Sequence, residues 1–197
     1  MNKRHMVNSA VGVCLAMMGV MANAQEWPTK RPITLVVPFA AGGSTDATAR
    51  LLAEKLSKEI GQQLVVENKA GAGSNVGSAF VSKASPDGYT LLFSTSTIAT
   101  NVTLYKSMGF DLRKDLAPIT QVALIPNVLT VNKDIPPKTL QEFIEYSRQK
   151  KDPVSYGSAG SGSASHLSGA LFNSMVKGEM VHVPYKGGAP ANTDLMG

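Results

Sequence analysis

The stretch Leu35-Val-Val-Pro-Phe-Ala-Ala-Gly-Gly-Ser-Thr-Asp46 constrains what this chain can fold into more than any other. Residues 33–37 form a short apolar run rich in β-branched side chains, and Pro38 ends its pairing. Gly42 and Gly43 permit a left-handed turn, and Ser44, Thr45 and Asp46 are residues that start helices. The segment therefore predicts a buried strand delivered through a glycine turn into a helix, the corner of an α/β fold. Such a corner aims free backbone N–H groups and the positive end of the helix dipole at one point, which suits a carboxylate or phosphate. A helix cap with no ligand is the alternative reading of the same residues.

The amino terminus places the chain outside the cytoplasm. Lys3 and Arg4 precede the uncharged stretch 7–21, and Ala22-Asn-Ala24 has the small-x-small form of a signal peptidase site, so residues 1–24 are expected to be a signal peptide cleaved before Gln25. The apolar run is short for a bilayer span and has no stop-transfer flank, which argues against a retained anchor. Cys14, the single cysteine, falls in the removed segment. It follows Val13, whereas a lipoprotein cysteine follows a small residue. The mature chain then has no disulfide and no cysteine nucleophile or metal ligand, and its core must hold it. Cleavage leaves 173 of 197 residues and, with Lys3 and Arg4 gone, lowers the formal charge from +5 to +3. The remaining basic residues are scattered and do not interleave with aromatics, which excludes a nucleic-acid groove as the expected function. A hydrophobic content of 43% without low-complexity tracts indicates a packed globular chain of one domain or one and a half.

Along the mature chain, Ala49, Leu52, Leu56 and Ile60 make an apolar stripe on a helix over 45–60, capped by Gly61. Leu64-Val-Val66 predicts a second strand, and Ala70-Gly-Ala-Gly-Ser-Asn-Val-Gly77 leads into another helix through Phe80 and Val81. After the turn Pro86-Asp-Gly88, a third strand is expected over 89–94, then a polar exit over 95–101 and a short helix near Leu104 and Tyr105. Three strands thus end on one side of a parallel sheet, where ligands of open α/β sheets sit. Strands are expected over 119–124 and 128–131, interrupted by Pro126-Asn127, with a change of domain there. Thr139-Leu-Gln-Glu142 has capping-box spacing before a helix that buries Leu140, Phe143 and Ile144. A strand over 154–156 feeds the second glycine-serine corner, Gly157-Ser-Ala-Gly-Ser-Gly-Ser-Ala-Ser165, and Leu167, Ala170, Leu171 and Met175 mark the helix after it. A strand over 180–183, a loop over 184–190 and a helix from Ala191 complete the sequence.

Other chemistries fit less well. Gly71-x-Gly73-x-x-x-Gly77 departs from dinucleotide-binding spacing, and no Gly-Lys-Ser/Thr follows the second corner, so no cofactor is expected. Ser161, Ser163 and His166 lack a nucleophile elbow and a carboxylate to orient the base, so no catalytic residue is assigned. His5, His166 and His182 lack metal-ligand spacing. What remains is a pair of corners, one around 39–46 and one around 157–166, that would hold a small anion across a cleft. Asp46 would repel such an anion unless it caps its own helix or receives an ammonium or a water.

Trp27-Pro-x-Lys-x-Pro-Ile33, the stretch Val37-Pro-Phe-Ala-Ala-Gly-Gly-Ser-Thr-Asp46, Glu67-Asn-Lys-Ala-Gly-Ala-Gly-Ser-Asn-Val-Gly77, Pro86-Asp-Gly-Tyr-Thr-Leu-Leu92, Tyr156-Gly-Ser-x-Gly-x-Gly-Ser163 and His182-Val-Pro-Tyr-Lys-Gly-Gly188 occur in this order. Together they resemble the Bug-type solute receptors of the tripartite tricarboxylate transporter family. The resemblance implies an α/β, two-lobed periplasmic-binding-protein (flytrap) fold, with a first lobe over 25–125 and a second over 126–197. It implies a small carboxylate ligand, a periplasmic monomer without enzyme activity, and delivery to membrane permease subunits. Carried over to this sequence, it assigns ligand binding to Phe39, Ala41, Gly42, Ser44, Thr45 and Asp46, to Ser94 and Ser96, and to Ser158, Ser161, Ser163 and His166, partly through ordered waters. Ala70 stands where proline is common and Ser74 where glycine is common. Family members continue well past Lys186-Gly-Gly188, so the second lobe is expected to be incomplete and the isolated chain unstable. The rival reading is a carboxylate-sensing or interaction module of the same fold without a transporter, or a non-functional fragment of the receptor.

Mass spectrometry of the exported protein is expected to give a chain that begins at Gln25. A mass that still includes Cys14 would overturn both the cleavage and the absence of a thiol.

Overall fold

The computed structural model describes residues 27–197. The signal peptide, its cleavage after Ala24 and the position of Cys14 lie outside the described residues. The chain forms β1 (Ile33–Val37), α1 (Ser44–Ile60), β2 (Leu64–Asn68), a 3-10 turn (Ala72–Ser74), α2 (Asn75–Ser82), β3 (Thr90–Leu92) and α3 (Thr97–Leu104). After a long irregular stretch come α4 (Leu140–Gln149), β4 (Ser155–Ser158), α5 (Ala164–Met175), β5 (Val181–Pro184) and α6 (Gly188–Met196).

Two parallel sheets result. The first has the order β2-β1-β3, with Leu35 opposite Val66 on one side and Leu91 on the other. Its central strand is buried on both faces, as a parallel sheet between helices requires: Ile33, Leu35 and Val37 point one way and Val36 the other, all nearly inaccessible. Ala49 and Ala53 of α1, with Leu56 and Ile60 beside them, cover the face presented by Ile33, Leu35 and Val37. α1 ends at Gly61 in the left-handed conformation, φ 67°, as its cap position predicts. α2 packs against β1 and β3. Its Gly77 is indispensable there, since a Cβ would lie 2.8 Å from both Lys69 O and Pro38 Cβ.

The second sheet pairs β4 with β5, from Ser155 opposite Val181 to Ser158 opposite Pro184. α5 and α6 pack against β4. This layer is less enclosed than the first, and Leu171 and Met175 of α5 are 62% and 75% exposed.

Several elements differ from expectation. The strands expected over 119–124 and 128–131 do not form; the chain there is irregular, with Ile119, Leu124 and Val128 79%, 86% and 75% exposed. A β-branched run has only a propensity, which becomes a strand when a neighbouring edge accepts its backbone hydrogen bonds. β3 is shorter than the expected 89–94, although Phe93 N–H still donates to Val36 O at 2.9 Å. The polar segment after it is already helical from Thr97, because buried Thr97 and Asn101 face the protein. Leu140 is exposed, while Phe143 and Ser147 form the buried side of α4.

The capping box before α4 is complete: Glu142 N–H donates to Thr139 Oγ1 at 3.2 Å, and Thr139 N–H donates to Glu142 Oε2 at 3.3 Å. Thr139→Ala is expected to lower stability by about 1 kcal/mol, read as a shift of the urea midpoint at unchanged slope.

Candidate functional site

The carboxyl ends of both sheets meet. β1 delivers the chain into Phe39–Gly43, β2 into the glycine loop over 69–74, and β3 into 94–97. From the other sheet, β4 leads into 159–163 and β5 into 185–188. Ala40 N–H donates to Lys186 O at 2.8 Å, Thr100 Oγ1 donates to Gly162 O at 2.7 Å, and Tyr105 OH reaches Ser161 O at 3.5 Å.

At the first corner, Gly42 takes φ 82° and Gly43 is the N-cap of α1. No side chain caps the helix; the tie comes from Asp46, at the third helical position. Its Oδ2 accepts the Gly42 N–H at 2.9 Å and Arg50 Nε at 3.0 Å, and its Oδ1 accepts Asn68 Nδ2 at 2.9 Å. The same Asn68 amide donates to Phe39 O at 3.0 Å, and Arg50 Nη2 closes the ring on Asn68 Oδ1 at 2.9 Å. Asp46 is only 3% exposed. Burial works to raise its pKa, but the hydrogen bonds from Arg50, the Gly42 amide and Asn68, with the Arg50 charge, outweigh it and hold the carboxyl below its ordinary range. A carboxylate so compensated binds the corner together and projects little bare charge toward an anion. Phe39 contributes its backbone here, since its ring lies in the core. Ala41, Gly42 and Ser44 are exposed and Thr45 partly so.

A third corner, absent from the sequence expectations, joins the first. The loop expected over 184–190 is already helical from Gly188, with Gly187 as N-cap at φ 148°. A Cβ on Gly43 would lie 3.6 Å from Ala189 N and 3.7 Å from Gly188 N, so the amino termini of α1 and α6 abut. Two positive dipole ends and their unshared N–H groups thus converge. The repeated Gly-Gly of Gly42-Gly43 and Gly187-Gly188 was the available signal. Pro190 obscured it, although proline is tolerated in a first helical turn, where its missing N–H costs nothing.

The second corner is wired internally. Ser163 caps α5, its Oγ accepting the His166 N–H at 3.2 Å. His166 Nδ1 accepts the Gly162 N–H at 3.1 Å, which leaves Nε2 as the protonated nitrogen of the neutral ring. That ring stacks on His182 with centroids 4.0 Å apart, and His182 Nε2 lies 2.6 Å from Ser158 Oγ. Burial, and then the neighbouring His166, push the His182 pKa down. Ser158 and Ser163 are buried, whereas Ser161 and His166 are partly accessible. Ser94 is half-buried with a weak bond to Thr95 O, and Ser96 is an exposed residue at the start of α3. The structure therefore sets the first corner against Lys186, Gly188 and Ala189, and Ser161 of the second corner against Gly73 and Tyr105. A cavity of about 660 Å³, lined by Val128, Phe143, Tyr156 and Leu195 and by Gly157 and Ser165 of the second corner, includes none of the first-corner residues. Among the described residues no cluster of histidine and carboxylate side chains could hold a metal ion, and no helix is long and apolar enough to cross a membrane.

Comparison with known proteins places this geometry among others like it. A family model described as "Tripartite tricarboxylate transporter family receptor" matches residues 48–197. Protein BugT of Bordetella pertussis is 36% identical over 193 residues, 96% of this chain and 59% of its own. Among solved structures, R. palustris Rpa4515 with adipate is similar at TM-score 0.83 and 43% identity, over 86% of this chain and 57% of that one. MatC from Rhodopseudomonas palustris with bound malate is similar at TM-score 0.76 and 36% identity, over 85% and 57%. The chain spans about half the length of the curated relatives it matches.

Both shifted groups link stability to pH in the same sense. A depressed histidine pKa means that the unfolded chain binds more protons, so the His182 contribution is complete above about pH 6.5 and is lost as pH falls below it. The Asp46 contribution is likewise present above the ordinary carboxylate range and lost only on stronger acidification. The urea midpoint is expected to fall between about pH 6.5 and 5, and His182→Gln to flatten that slope; an unchanged slope in the variant would overturn the assignment. Asp46→Ala is expected to cost about 1–3 kcal/mol at neutral pH, because it removes the shared acceptor of the Gly42 N–H, Asn68 and Arg50.

Proposed function

Because this chain belongs to the tripartite tricarboxylate transporter receptor family, we propose that it captures a small carboxylate at the junction of its two sheets and presents it to membrane permease subunits. The observation that carries this reading is the abutment of the α1 and α6 amino termini at Gly43 and Gly188. A carboxylate there would accept backbone N–H bonds from both helix starts and lie in the positive field of both dipoles, each a favourable term for an anion. Arg50 is already engaged by Asp46 and Asn68, so the charge of the ligand is balanced by dipoles and amides.

In this reading Gly42, Ser44 and Thr45 grip the shared carboxylate through backbone and hydroxyl groups, with Phe39 and Ala41 shaping the turn and Asp46 holding it. Ser94 and Ser96 flank it from β3. Ser161 and His166 meet the ligand from the second corner, His166 as an Nε2–H donor, and Ser158 and Ser163 fix that corner. The first lobe comprises 25–125 and the second 126–197, and the receptor acts as a monomer in the periplasm after cleavage behind Ala24. Adipate and malate, the ligands held by similar structures, are the first dicarboxylates to test. Binding without turnover is the expected activity.

A dicarboxylate bound at 100 times its Kd adds about 2.7 kcal/mol of stability, so thermal-shift titration with adipate and malate reads the function directly. Gly43→Val places two methyl groups against the Gly188 and Ala189 amides and is expected to abolish the shift. A folded variant that retains it would show that the corner is only a helix cap.

A further inference from the structure

Two glycine loops from opposite sheets touch beside the site, and one buried side chain contacts both. Asn101, on α3, is fully inaccessible. Its Nδ2 donates to Gly73 O at 2.6 Å and to Asn75 Oδ1 at 2.8 Å, which engages both amide hydrogens on the loop that follows β2. Its Oδ1 is buried without a hydrogen-bond donor and lies against Gly162, where a Cβ would overlap it and sit 2.9 Å from Leu104 Cδ2. The neighbouring Thr100 holds Gly162 O. Gly73, at φ 57°, has the matching constraint: a Cβ there would overlap Ser161 O.

We propose that Asn101 is a positioning residue of the ligand site, seating the Gly160-Ser161-Gly162 loop, and through it His166, against the first sheet. This rests on the reading of the junction as the ligand site. The carboxamide grips one glycine loop by donation and limits the other by contact, so the two loops share one register. An apolar side chain of this size would leave Gly73 O without its donor, and a carboxylate would remove both donors and set a charge against the Gly162 backbone. The effect reaches the ligand residues through a short path: Gly162 N–H holds His166 Nδ1, and Gly160 O accepts the Ser163 N–H at 3.1 Å. Moving Gly162 therefore turns the imidazole that the proposed function assigns to the ligand.

Amide hydrogen exchange on the full chain tests this, with His166 ring resonances as the second readout. Gly162→Ala and Asn101→Ala are each expected to raise exchange across 160–166 by about tenfold, with β1 amides unchanged, and to displace the His166 resonances. Combined, they are expected to fall short of the product of the single effects, because removing the carboxamide relieves the methyl's overlap with it, while the strain of alanine at φ 82° and the contact with Leu104 remain. Asn101→Asp, of the same shape without the two donors, is expected to raise exchange at 72–76 and 160–166 together. Single variants that exchange like wild type across 160–166, or effects of Asn101→Ala and Gly162→Ala that multiply, would overturn the proposal. The adipate and malate titrations are read separately, so a wild-type chain that binds neither removes the ligand reading while the exchange data still decide whether the joint exists.

Discussion

The hydrogen-bonded ring around the Asp46 carboxylate is the interaction on which the rest of the architecture depends. It ties the turn at Gly42, the first helical turn of α1 and the end of β2 through Asn68, so three elements that could each move alone share one anchor. A turn built on glycine is conformationally loose by nature. Fixing it by a buried, fully satisfied charge gives a rigid corner without placing side-chain bulk where a ligand would approach. The cost of burying that charge is offset because each oxygen has directed donors and Arg50 stands beside it.

Rigid placement of the first corner gives meaning to the contacts it receives. The Ala40–Lys186 backbone bond and the approach of Gly188 to Gly43 bring a second helix start against the first. On the other flank the glycine loops at 73 and 160–162 pack backbone to backbone around Asn101. Glycine is required at 187, where a Cβ would lie 3.0 Å from Ala40 N, and at 73 and 162, where a Cβ would overlap Ser161 O and Asn101 Oδ1. The serine-rich second corner works differently, because Ser158, Ser163, His166 and His182 satisfy one another and leave only selected donors accessible.

Much of this was legible residue by residue. The β-branched run over 33–37, the Gly61 cap and the capping box at Thr139 and Glu142 each encode a local geometry within a few residues, and each is found in the structure. The run over 119–131 was not legible, because strand formation is decided by a pairing edge elsewhere in the molecule. The helix start at Gly188 was masked by Pro190, and Asn68, Asn101 and His182 carried no periodic or motif signal for their roles.

By itself the sequence determined the α/β class, the glycine corners and the helix that follows each, because these follow from short-range sterics, capping chemistry and hydrophobic period. The tertiary structure alone decided which corners meet, that Asp46 faces Asn68 and Arg50 instead of an open cleft, and that Asn101 lies between Gly73 and Gly162. The pairing of β1 with β2 carries Asn68 to Asp46, and the meeting of the carboxyl ends of the two sheets sets Gly162 against Asn101; neither follows from short-range geometry.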